Sequence, residues 1–69
     1  MTVVRAEMSA RVWQLPVADG TEVNAGEVIA VLESMKMEIP VVAPTSGMLT
    51  LRVAEGAEIA EGDPIAEVG

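Results

Sequence analysis

The sequence predicts an all-β protein, a two-layered sandwich built from two copies of one unit, and three observations predict it. Glycine and proline recur too often to leave long helical windows, and β-branched residues fill most of the windows that remain. Short apolar runs are bounded by Asp19-Gly20, Ala25-Gly26, Ser46-Gly47, Glu55-Gly56 and Glu61-Gly62, which are turn signals. The chain also repeats itself. Leu15-Pro16-Val17-Ala18-Asp19-Gly20-Thr21-Glu22-Val23, with Gly26, Ile29 and Ala30 after it, returns 36 positions later as Leu51-Arg52-Val53-Ala54-Glu55-Gly56-Ala57-Glu58-Ile59, with Gly62, Ile65 and Ala66. The identities fall at glycines and alternating apolar positions, where backbone geometry and packing demand them.

In order, the strands expected are Val3–Ala6, Arg11–Val17, Val28–Glu33, Met37–Val42, Met48–Ala54 and Ile65–Val68, with short extended pieces at Glu22-Val23 and Glu58-Ile59. Each is rich in Val, Ile, Leu or Thr and stops at a turn signal. Two copies are too few for a stacked solenoid. Two halves packed face to face around a pseudo-twofold axis bury one apolar layer between the sheets. Candidates for that layer are Val12, Val17, Val23, Ile29, Val31, Leu49, Leu51, Val53, Ile59 and Ile65. Trp13, the one aromatic residue, reads as core or as a partly buried anchor, the competing reading being a contact with a partner.

Sixty-nine residues fit one small domain, expected to span 1–69. With no cysteine and no histidine, disulfide staples and ordinary zinc sites are excluded, and stability rests on aliphatic packing. A net charge of -7 argues against nucleic acid, whose phosphates call for clustered Lys and Arg. No apolar run approaches the 18 or so residues of a membrane span, and the first residues lack the layout of a secretory signal. The expectation is a cytoplasmic protein, its acidic surface serving solubility.

Lys36 is the only lysine; the other cations are Arg5, Arg11 and Arg52. Guanidinium groups stay protonated at any working pH and accept acyl groups poorly, so side-chain amine acylation has one address. Lys36 lies in Leu32-Glu33-Ser34-Met35-Lys36-Met37-Glu38-Ile39, between two runs that read as paired strands. This hairpin connection has no Gly, Pro or Asn, the usual turn formers, which suggests side chains chosen for another task. At such a tip they project into solvent, within a partner's grip.

Glu33-Ser34-Met35-Lys36-Met37-Glu38 closely resembles the attachment motif of biotinyl domains, in which the lysine between two methionines carries biotin. Gly20 and Gly26 before it, and Ala43-Pro44, Gly47, Gly56 and Gly62 after it, match the same family, so the resemblance covers essentially the whole chain. The second half keeps the family's Ala-Pro-x-x-Gly as Ala43-Pro44-Thr45-Ser46-Gly47; the first departs from it with Ala6-Glu7-Met8-Ser9-Ala10. The resemblance implies a flattened barrel of two four-stranded antiparallel sheets with quasi-twofold symmetry, the barrel-sandwich hybrid. The extra protruding loop of some carboxylase subunits is not expected, since no unmatched insertion precedes Glu33.

It further implies a carrier rather than an enzyme. A separate biotin protein ligase would acylate Lys36 from biotinyl-adenylate. The attached biotin would then shuttle a carboxyl group between biotin carboxylase and carboxyltransferase active sites. Acylation would remove the lysine charge and take the net charge from -7 to -8. Met35 and Met37 are read as apolar flanks gripped by the ligase and the carboxylase, the competing reading being hairpin core. Glu33 and Ser34 join them as candidates for partner recognition, although an exposed Glu near a Lys is more often only solvated.

Two other readings compete. A lipoyl carrier uses the same fold, but lipoyl domains typically place Asp before and Ala after the lysine, where this chain has Met35 and Met37. An unmodified barrel-type binding module is the other; those in membrane-export adaptors sit within long helical hairpins, which this chain does not contain. Catalysis fits least well, for want of His, Cys, spaced acid/base pairs or a phosphate-cradling glycine loop.

Overall fold

The computed structural model describes residues 1–69 and contains eight strands. They are β1 (Thr2–Arg5), β2 (Ala10–Gln14), β3 (Glu22–Val23), β4 (Val28–Ser34), β5 (Met37–Val42), β6 (Gly47–Leu51), β7 (Glu58–Ile59) and β8 (Pro64–Val68). All pairings are antiparallel, and they form two four-stranded sheets in the orders β1-β8-β6-β3 and β5-β4-β2-β7. Exchanging β1 with β5, β2 with β6, β3 with β7 and β4 with β8 turns one order into the other. This is the quasi-twofold expected from the repeat. No helix is long and apolar enough to cross a membrane.

The halves do not stack as one sheet each. Every sheet takes two strands from each half, so the copies interlock and neither buries its apolar face alone. Backbone bonds repeat across the axis. Gly26 N–H donates to the Ala43 carbonyl and Gly62 N–H to that of Ala6, both at 2.8 Å. Ala6 and Ala43 are therefore equivalent despite the unlike residues that follow them. Gly26 and Gly62 hold φ near +88°, a left-handed conformation that an L side chain adopts only with strain.

Val12, Val23, Ile29, Leu49, Ile59 and Ile65 are buried as expected, and Val17, Leu51 and Val53 pack against them from the margin. Val31 does not belong to this layer. β4 pairs with β5 through Val28↔Val42 and then Ala30↔Val41, so Ile29 is an extra residue at a bulge. The bulge turns both Ile29 and Ala30 inward, and alternation then buries Leu32 and turns Val31 out. β8 repeats this around Ile65, burying Ile65, Ala66 and Val68.

Trp13 is not core: it is 45% exposed. β2 pairs with β4 through Val12↔Leu32 and then Gln14↔Val31, which leaves Trp13 as an extra residue at a second bulge. β6 pairs with β8 without interruption, so Trp13 has no counterpart in the second half. Equivalent residues are therefore 37 apart before Trp13 and 36 apart after it. One unmatched residue thus does precede Glu33.

β2 and β6 end earlier than expected, at Gln14 and Leu51. Just there a carboxylate replaces the next ladder partner. Glu55 accepts from Leu15 N–H at 3.1 Å, and Asp19 accepts from Leu51 N–H at 2.8 Å. In the same symmetric fashion Glu27 accepts from Asn24 N–H and Asp63 from Ala60 N–H. Part of the acidic composition therefore holds turns.

Candidate functional site

β4 and β5 form a hairpin whose last pairs are Leu32↔Ile39, Glu33↔Glu38 and Ser34↔Met37. Met35 and Lys36 are left as the whole of a two-residue turn. Their φ angles are 52° and 64°, the only positive values at non-glycine residues in the chain. Two consecutive positive values are the signature of a type I′ turn, whose twist matches its flanking strands but which strongly prefers Asn-Gly. Holding side chains there costs on the order of 1 kcal/mol or more per residue. The hairpin keeps those side chains despite the strain.

The hairpin projects its apolar flanks outward. Met35 is 89% exposed and Met37 is 58% exposed, so neither packs into the core, and Lys36 between them is exposed without an ion pair. Ser34 has a local duty: its hydroxyl donates to the Ser9 carbonyl at 3.2 Å, which ties the hairpin base to the β1–β2 connection. An exposed tip thus stands on an anchored stem.

Below the turn, cross-strand register lines up Glu38, Glu33, Arg11 and Glu58 across β5, β4, β2 and β7. Val12 and Leu32 beside them are buried, so this row faces solvent. None of its members closes an ion pair; the chain's one pair joins Arg52 to Glu67. Like charges directly opposite, as at Glu33 and Glu38, are destabilising in a sheet. The result is a net-negative collar under the one primary side-chain amine. The collar's Arg11 and Glu58 had no place among the sequence candidates, because only strand register brings them beside Glu33.

The family model for biotin-requiring enzymes, the biotin/lipoyl family, matches residues 2–68. The chain belongs to the biotin/lipoyl attachment family. Within it, the chain is 44% identical over 66 residues to the biotinylated protein TB7.3 homolog of Mycobacterium leprae (strain TN), covering 94% of this chain and 93% of that one. It is 39% identical over 66 residues to the biotin/lipoyl attachment protein of Bacillus subtilis (strain 168), covering 94% and 90%. Among solved structures, the urea carboxylase of Kluyveromyces lactis matches with a TM-score of 0.89 at 29% identity. That match covers 97% of this chain and 6% of the carboxylase, so the chain corresponds to one small part of that enzyme. In this biotin/lipoyl attachment protein two four-stranded sheets carry the hairpin, with Lys36 in the turn at its tip.

Proposed function

We propose that this protein is a biotin carrier, with biotin held as an amide on Lys36 and offered to the active sites of a biotin-dependent carboxylase. The observation that carries the proposal is the placement of the chain's only lysine, exposed and unpaired, at the tip of a strained turn in a biotin/lipoyl attachment fold. The residues fit the group: one amine is available, nothing in the chain engages it, and the sulfur side chains beside it are exposed. When bound, biotin supplies the ring nitrogen that takes up and gives off a carboxyl group.

The chain's own part is presentation. The anchored stem fixes where the amine stands, and the turn keeps it clear of both sheets. Activation of the amine is left to a biotin protein ligase, because the exposed hairpin tip supplies no general base of its own. Met35 and Met37 offer that ligase adaptable apolar contacts, and Glu33 a charged one. Ser34 acts through its bond to Ser9, holding the hairpin's approach angle. Catalysis thus belongs to the partners, a ligase and then biotin carboxylase and carboxyltransferase components. Tethering makes each transfer local, at an effective concentration that reaches the millimolar range for short flexible links. The carrier is placed in the cytoplasm with the ligase that loads it, with no role for membrane or nucleic acid, and 1–69 is treated as one carrier domain.

Coexpression with a biotin ligase followed by peptide mass tests the assignment. One biotinyl increment on the peptide containing Lys36, and none on Lys36→Arg, is the expected result. A lipoyl increment would instead select the lipoyl carrier, and biotin on the Lys36→Arg variant would defeat the site.

A further inference from the structure

The quasi-twofold supplies an internal control: equivalent positions on the outer faces of the two sheets meet the same structural demands. They have diverged in chemistry. On the sheet bearing the hairpin, Pro40 and Val31 are cross-strand partners, Val42 and Val28 form the next pair, and Trp13 lies with Gln14 opposite Val31. All five apolar residues face away from the core: Trp13 is 45% exposed, Val42 47% and Val28 38%, Pro40 is exposed and Val31 partly so. The equivalents of Pro40 and Val31 on the other sheet are Val3 and Glu67, and those of Val42 and Val28 are Arg5 and Pro64. Trp13 has no equivalent at all. The scaffold therefore accepts charge at two of these places, and under the lysine it has aliphatic residues and an inserted tryptophan instead.

We propose that this face, centred on Trp13 and Val31, is the docking surface for the enzyme that acylates Lys36. The proposal rests on the carrier reading above. Reach selects the partner. Before modification the amine stands only about 6 Å from its own Cα at full extension, so the loading enzyme must come against the scaffold itself. Carboxylase sites meet a longer, modified arm and have no such need. Val31 is three residues below Ser34 in β4, roughly 10 Å down the strand, within the footprint of an enzyme closed over the tip. The face is continuous with the hairpin, because β4 and β5 build both. Tryptophan is among the residues most enriched at the energetic centres of interfaces, and a partner that covered Trp13 would bury it among Val31, Val28, Val42 and Pro40. The collar of Glu38, Glu33, Arg11 and Glu58 between this patch and the tip, net negative despite its arginine, defines the complement: an apolar socket with a cationic rim on the side facing the hairpin.

The test is steady-state biotinylation of the full apo chain by a purified biotin ligase, with ATP and biotin saturating and carrier varied. Trp13→Thr and Val31→Glu should each raise KM for the carrier about tenfold or more, with kcat at saturation and urea unfolding little changed. Val31→Glu installs the residue that the other sheet carries as Glu67 but without the Arg52 that pairs with it there, so its urea unfolding is measured beside its KM, and Trp13→Thr tests the same face without adding charge. Val3→Glu, at the equivalent of Pro40, should leave KM unchanged. Wild-type KM for both Trp13→Thr and Val31→Glu, while wild-type protein is loaded at Lys36, would overturn this inference and leave the carrier reading standing. An equal rise in KM for Val3→Glu would reduce the effect to general electrostatics and overturn it too. Failure of the wild type to be loaded at Lys36 would defeat both.

Discussion

The carboxylate of Asp19 accepts a hydrogen bond from the Leu51 amide at 2.8 Å, and so holds a turn of the first half on the end of a strand from the second. Glu55 and Leu15 repeat the contact across the axis, with Asp and Glu exchanged. Interlocked halves need such ties because no half closes its own sheet. Asp19→Ala should cost about 1–2 kcal/mol, since the amide loses a charged acceptor. Asp19→Asn, which keeps an acceptor oxygen, should cost less. Urea midpoints of the two variants check the order.

Met35 and Lys36 spend backbone strain on holding their side chains at the tip. Replacing them together, Met35→Asn with Lys36→Gly, supplies the pair a type I′ turn prefers. The double variant should be about 1 kcal/mol more stable than wild type and wholly refractory to biotin ligase. Thermal or urea unfolding reads the first effect and intact mass the second. A loss of stability would show that the positive φ angles cost nothing.

Met35→Gln and Met37→Gln should each leave stability within about 0.5 kcal/mol, because both side chains already stand in water. Each should slow biotinylation, which a time course of modified fraction would record. Unfolding of the hairpin in either variant would reassign the methionines to packing.

Ile29 and Ile65 occupy equivalent bulges and are both fully buried. Truncation to alanine should cost about 2–4 kcal/mol at either site. A chain of 69 residues has only about 3–10 kcal/mol of stability to lose, so either variant should be partly unfolded at modest urea. Similar losses at the two positions are the quantitative form of the symmetry, measurable by equilibrium urea unfolding.

Much of this architecture was legible along the chain. Gly26 and Gly62, the repeat around them and the short β-branched runs announced a duplicated all-β unit, and six of the ten expected core residues are buried. Val31 escaped because a two-residue period, started at Ile29, runs straight through the bulge that resets it. The core reading of Trp13 failed for a simpler reason: aromatic bulk favours burial on average, yet with Val12 turned inward plain alternation already sends Trp13 outward, and the bulge redirects only Gln14 after it. Arg11 and Glu58 are 47 residues apart and become neighbours of one row only through β2 and β7 pairing.

By itself, then, the sequence settled what depends on single residues and near neighbours: one acylatable side-chain amine, its methionine flanks, the turns, and a unit made twice. Tertiary structure alone decided how the copies interlock, where the strands slip by one residue, and therefore which side chains lie beneath the lysine on the open face. Strand register is a choice between two distant segments. It follows from summed backbone bonding and closure of the shared apolar layer, and neither is encoded in any one stretch of chain.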